Sequence, residues 1–184
     1  YTSIEQNKGN RELYIMDIDG SNNVKITNTP KSESNARWID DSKIIYMRGG
    51  NLYTATLNGS EISQEVEVAG AQGFEGFELS PDNSKIMFVK SVKAAVKPAD
   101  LYPDLDKSSG RTYTDLMYRH WDHFVEDVPH TFIADFTGSL VGEATDILAG
   151  DTANPESAER IFELPTLPFG GLEQLSWSPD GKYI

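Results

Sequence analysis

A Pro-Asp or Asp-Asp turn set between short apolar runs recurs along the chain, in ARWIDDSKIIYM (36–47), FELSPDNSKIMFV (77–89) and LSWSPDGKYI (175–184). Each copy carries an apolar or aromatic residue before the turn, then a lysine and a strand-like run. Asp41 and Asp82 lie 41 residues apart, and Asp82 and Asp180 lie 98 apart. A second series interleaves with the first: LYIMDIDGS (13–21), LYTATLNGS (52–60) and HTFIADFTGS (130–139), each ending in a Gly-Ser turn. Proline presets φ, and an aspartate bonds its own downstream backbone, so Pro-Asp pairs read as turns. Asp19-Gly20 and Asn58-Gly59 offer the positive φ angles that tight hairpins need. Helical periodicity is nearly absent.

Short strands repeating at about 40 residues, with one such turn per unit, are the pattern of β-propeller blades. The fold expected is therefore all-β: a partial propeller of TolB- or WD-like blades, each a four-stranded antiparallel sheet. The units fall at about 10–50, 51–92 and 130–184, with an insertion at about 93–129. The long spacing reads as one period plus that insertion. The last copy stops within the strand its repeat calls for, so the sequence is expected to be a piece of a longer propeller.

Composition narrows the function classes. The 184 residues hold 38% apolar side chains, enough for a packed core. A net charge of −13, spread along the chain, disfavours a nucleic-acid partner, which calls for a basic stripe. No apolar run is long enough to span a membrane, and the opening Tyr-Thr-Ser-Ile-Glu has no signal-peptide pattern. The absence of cysteine excludes disulfides and thiolate metal sites and fits either side of a bacterial membrane.

Two stretches depart from the repeat. KPADLYPDLDKSSGR (97–111) reads as an excursion from a blade, and 151–172 as another, in which PESAERIF offers a helical turn or two capped by Asn154. Long loops on a rigid scaffold tend to carry function. Between them lies LMYRHWDHFVEDVPH (116–130), which holds all three histidines. His120 and His123 face opposite ways on a strand, and no third ligand is evident, so neither a metal nor any other cofactor is expected. Asp17-Ile-Asp19-Gly20 has its glycine too early for a calcium loop and reads as a hairpin turn. The Asn58-Gly-Ser sequon reads the same way. No Gly-x-Ser-x-Gly elbow occurs, so no catalytic residue is assigned. Arg119 presents a fork of donors, Asp122 and Glu126 accept from it or from an ammonium, and Trp121 offers a flat apolar wall. A structural ion pair beside a core tryptophan explains these residues equally well.

LMYRHWDHF (116–124), preceded by FELSPDNSKIMFV and followed by LPFGGLEQLSWSPDGKYI (167–184), resembles the prolyl oligopeptidase family of serine peptidases, on its dipeptidyl peptidase 5 and acylaminoacyl peptidase side. The resemblance covers essentially the whole chain, as part of the amino-terminal propeller. It implies a following α/β-hydrolase domain, absent from this chain, that carries Ser, Asp and His and releases dipeptides from peptide amino termini. The propeller covers the active site and helps hold the substrate. The implied candidates for that task are Arg119, Trp121, Asp122, Glu126 and Asp127, with Glu173 a weaker one. The implied partners are peptide substrates and the hydrolase domain, with room for a homodimer. A periplasmic or secreted location is expected, with the cytoplasm as the alternative. The competing reading is a TolB-like protein-binding module with no enzyme attached, in which the YRHWD run packs inside a blade.

Overall fold

The computed structural model describes residues 2–4, 9–113, 119–149, 162–167 and 169–184. Strands β1 (Thr2–Ile4), β2 (Arg11–Ile15) and β3 (Val24–Lys25) form a three-stranded antiparallel sheet in that order. Strands β4 (Glu33–Trp38), β5 (Lys43–Arg48), β6 (Asn51–Asn58) and β7 (Glu61–Glu67) follow as a four-stranded antiparallel meander. A third sheet begins with β8 (Gly76–Leu79) and β9 (Lys85–Lys93). The chain then leaves it through helix α1 (Pro98–Leu101), a 3-10 turn (Pro103–Leu105) and a hairpin of β10 (Arg119–His120) and β11 (His123–Phe124). It returns as β12 (Asp127–Asp135) and β13 (Thr145–Asp146), giving the order β8-β9-β12-β13. The fold is all-β with antiparallel sheets, and among the described residues helix is confined to short turns.

The apolar run of β5 explains how the sheets stack. Side chains alternate across a strand, yet Ile44, Ile45, Tyr46 and Met47 are all buried. Ile44 and Tyr46 join Leu13, Ala55 and Leu57 in one apolar layer. Ile45 and Met47 join Phe77, Ile86 and Phe88 in another. The second sheet therefore lies between the first and third, burying both faces. In the second layer the Phe88 ring stacks on Phe74 at 4.0 Å and on Phe132 at 5.5 Å, the close aromatic packing that contributes beyond burial alone. Strand β9 repeats the pattern with Ile86, Met87, Phe88 and Val89 all buried.

Two carboxylates are also fully buried where the first two sheets meet. Glu33 accepts from Arg48 Nε at 2.7 Å and from the Thr29 hydroxyl at 2.6 Å. Glu12 accepts from the Thr27 hydroxyl at 2.9 Å and from the Asn10 amide at 3.1 Å. Arg48 continues to Glu65 at 2.8 Å and lies 4.6 Å over the Tyr53 ring. Its bond holds the Glu65 carboxyl below the usual range, while burial pushes the Tyr46 hydroxyl up. Such charges persist inside a protein only when paired.

The sheets run out of step with the sequence units. The unit expected at 10–50 ends after β5, whereas the second sheet spans Glu33–Glu67, because the repeated turn lies inside a sheet and joins its first two strands. The turns also differ from their alignment. Asp82 accepts the Ser84 N–H at 3.0 Å and Asp180 the Lys182 N–H at 3.2 Å, but in the first copy Asp40, not Asp41, accepts the Ser42 N–H, at 2.8 Å. That first turn closes one residue sooner, by Ile39 N–H to Lys43 O, where the others close by Ser80 to Lys85 and Ser178 to Tyr183. The β6–β7 turn is corrected too: Asn58 pairs with Glu61, so Gly59-Ser60 forms the loop, and there only Gly59 has positive φ, at 61°.

Candidate functional site

The excursion at 94–126 is clamped at its base. Strands β9 and β12 pair from Lys85–Asp135 to Lys93–Asp127, and just beyond them the Glu126 carbonyl accepts from Ala94 N at 2.9 Å and Ala95 N at 3.0 Å. The Glu126 carboxylate binds Lys97 Nζ at 2.8 Å and Arg111 Nε at 2.8 Å. Those bonds, Lys97 first, hold its carboxyl below the usual range. Glu126 is thus already engaged by two cations of its own chain.

The β10–β11 hairpin turns at Trp121 and Asp122. His120 is paired with His123 across it, and Arg119 with Phe124. The expectation that the two histidines point apart is thereby corrected: a tight turn, not one continuous strand, separates them, and their rings lie 6.1 Å apart. Trp121 has a φ of 44° and is 71% exposed. Positive φ is rare for a bulky residue, and such backbone persists where the surroundings over-determine it. Here Arg119 Nε donates to the Trp121 carbonyl at 2.9 Å, and the Trp121 ring meets Phe169 edge-on at 5.3 Å. The guanidinium groups of Arg111 and Arg119 lie 4.9 and 5.6 Å from the Phe124 ring. Asp122 contacts His123 Nδ1 at 3.1 Å, which holds its exposed carboxyl below the usual range. Tyr118, with the rest of 114–118, lies outside the described residues.

A cavity of about 220 Å³ opens beside this hairpin, with His120, Phe124, Glu126, Asp127, Glu163 and Leu167 among its walls. Glu163 arrives from the second excursion. The Leu164 N–H donates to the Pro129 carbonyl at 2.9 Å, and the buried Thr131 hydroxyl donates to the Leu164 carbonyl at 2.8 Å, docking that segment on β12. Asp127, exposed at the start of β12, also lines the cavity. Sequence reading missed Glu163 because it sits in a proline-flanked loop; its one signal is a lone charge inside Phe-Glu-Leu-Pro. The helical turns expected at PESAERIF and the Asn154 cap lie outside the described residues.

Glu173 stands apart from these residues. It lines a cleft of about 480 Å³ with Asn35 and Arg37 of β4 and Gly76 and Glu78 of β8. The six sequence candidates therefore divide, five around the hairpin and one in the cleft. His130 belongs to neither and bonds Asp146 at 2.7 Å. Among the described residues no group of three or more His, Asp or Glu side chains has a metal-holding arrangement, and no helix is long and apolar enough to cross a membrane.

No family model matches the chain. Individual proteins do. The chain is 39% identical, over its full length, to dipeptidyl-peptidase 5 of Porphyromonas gingivalis, of which it spans 26%. It is 33% identical over 99% of its length to dipeptidyl-peptidase 5 of Porphyromonas endodontalis, again 26% of that protein. A fungal relative, dipeptidyl-peptidase 5 of Aspergillus oryzae, is 26% identical over 99% of the chain and 27% of its own length. The chain thus spans about a quarter of the curated relatives it matches. Among solved structures, the acylaminoacyl peptidase of Pyrococcus horikoshii shares the fold over 79% of this chain and 22% of its own, with a TM-score of 0.50 at 18% identity.

Proposed function

We propose that this chain, homologous throughout to a quarter-length stretch of dipeptidyl-peptidase 5, is a non-catalytic β-propeller segment of a serine exopeptidase. That full-length similarity is the observation that carries the reading. The stack of antiparallel sheets supports it: the edge strands β4 and β8 both border the cleft that holds Glu173, as the first strands of adjacent blades border a propeller's channel. The parent enzyme releases dipeptides from peptide amino termini, in the periplasm or outside the cell. Its Ser-His-Asp machinery lies in an α/β-hydrolase domain of the same protein and works through an acyl-enzyme.

This segment's part is to restrict access and hold the peptide. Trp121 offers an exposed ring that meets Phe169, on a backbone held by Arg119. Asp122, with its side chain 93% exposed, is the carboxylate most open to a substrate ammonium. Asp127 adds a carboxylate beside it, Glu126 lies at the same base paired with Lys97 and Arg111, and Glu173 stands in the cleft. A stand-alone protein-binding propeller would pack the hairpin inside a blade; the exposure of Trp121 favours the peptidase reading.

Steady-state kinetics of the full-length protein on dipeptidyl 4-nitroanilides test this. Trp121→Ala and Asp122→Ala are expected to raise KM several-fold with kcat little changed, the mark of lost uniform binding. N-acetylated substrates are expected to turn over poorly in every variant. Unchanged KM in both variants overturns the assignment of the hairpin to substrate binding.

A further inference from the structure

The cavity beside the hairpin contains a carboxylate that the described residues do not satisfy. The Glu163 side chain is 6% exposed. Its Oε1 accepts the Leu167 N–H at 3.1 Å, but its Oε2 is buried with no hydrogen-bond partner among the described residues. Among the described residues, the group able to carry positive charge that lies within 4 Å of it is His120 Nε2, at 3.9 Å, beyond hydrogen-bond reach. The neighbouring cations are engaged elsewhere: Lys97 and Arg111 on Glu126, and Arg119 on the Trp121 carbonyl. A buried charge left without a counter-charge is costly and marks a place where one is supplied.

The walls indicate what kind of cation fits. Asp127 shares the cavity with Glu163, Glu126 being already paired with Lys97 and Arg111, while Phe124, Val125 and Leu167 give it apolar sides. With no metal-holding arrangement among the described residues, an organic cation suits the walls better than a metal ion. An ammonium has three donors and no acceptor; Glu163 Oε2 takes one, and His120 Nε2, 3.9 Å from that oxygen, takes another when it carries no proton. A volume of about 220 Å³ has room for a single residue rather than a folded partner.

We propose that this cavity binds a protonated primary amine, with Glu163 as its counter-ion and His120 as a second acceptor. The amine is either the α-ammonium of a peptide or a lysine side chain. The site requires only an uncompensated carboxylate, so it stands whether or not the parent protein is a peptidase.

Calorimetric titration of the full chain with three probes tests it: Ala-Ala amide, its N-acetyl form, and N-acetyl-lysine amide. At least one amine is expected to bind at least tenfold more tightly than the N-acetyl dipeptide, which lacks an ammonium. Preference for Ala-Ala amide identifies a peptide terminus, and preference for N-acetyl-lysine amide a lysine side chain. Glu163→Gln is expected to abolish the discrimination and to raise Tm, because it removes a buried charge at constant shape. Failure of every amine to bind better than the acetylated dipeptide overturns the proposal. So does a Glu163→Gln protein that is less stable and still discriminates, which would make Glu163 a structural group.

Discussion

The second and third sheets answer the same topological question in opposite ways. In the second, β5 passes to β6 through Gly49-Gly50, whose φ angles of 59° and 81° close the chain in two residues between paired Arg48 and Asn51. In the third, β9 passes to β12 between paired Lys93 and Asp127, and residues 94–126 fill the same gap. Both junctions end in a register-matched pair, so the sheet does not depend on what lies between. A rigid ladder tolerates a long insertion because closing a longer loop costs little more than closing a short one. The scaffold is therefore repeated, and the hairpin and its cavity lie where the repeat is interrupted.

The largest effects are expected in what the two sheets share. Phe88→Ala, at the centre of the layer between them, is expected to cost about 3–5 kcal/mol in urea unfolding. On the other face of the second sheet, against the first, Arg48→Met strips the counter-charge from buried Glu33 and is expected to cost about 3 kcal/mol, the lower end for a broken buried pair. Restoring neutrality with Glu33→Gln in the same chain is expected to recover part of that loss. Replacing 94–126 by Gly-Gly makes the third sheet imitate the second. Far-UV circular dichroism is expected to keep its strand signal, with a smaller loss of stability than Phe88→Ala; loss of the strand signal would show that the insertion is part of the core.

The smallest effect concerns the turn inside each sheet. Asp82 is held down from 3.8 to about 2, first by the Ser80 hydroxyl and then by Ser84. A lowered carboxyl pKa contributes stability that is present above its unfolded value and lost as pH falls through the folded one. The urea midpoint is thus expected to drop between about pH 4 and pH 2, and to drop less in Asp82→Asn.

What was legible in the sequence follows the same division. The turns and the short apolar runs announce repeated antiparallel strands, because turn chemistry and apolar runs are local, whereas the burial of Ile44–Met47 and Ile86–Val89 on both faces emerges only from the stacked sheets. The phase of the units was not legible, since a turn says that two strands meet and not which sheet they open. The hairpin residues stood out by composition, and Arg119, Trp121, Asp122, Glu126 and Asp127 do cluster. Their states did not show: only the fold brings Lys97 and Arg111 to Glu126, or sets Glu163 against His120 from a loop more than 40 positions away. Glu12 and Glu33 read as surface charge and are buried, because their partners come from neighbouring strands.

The central claim is that residues 119–127 face the substrate of a catalytic domain carried elsewhere in the same protein. A crystal structure of the full-length protein alkylated by a dipeptidyl chloromethyl ketone tests it most directly. The account predicts the inhibitor between the catalytic serine and histidine and the β10–β11 hairpin, with its free amine directed at the carboxylates around Trp121. An inhibitor bound with the hairpin facing bulk solvent, remote from the amine, would contradict it.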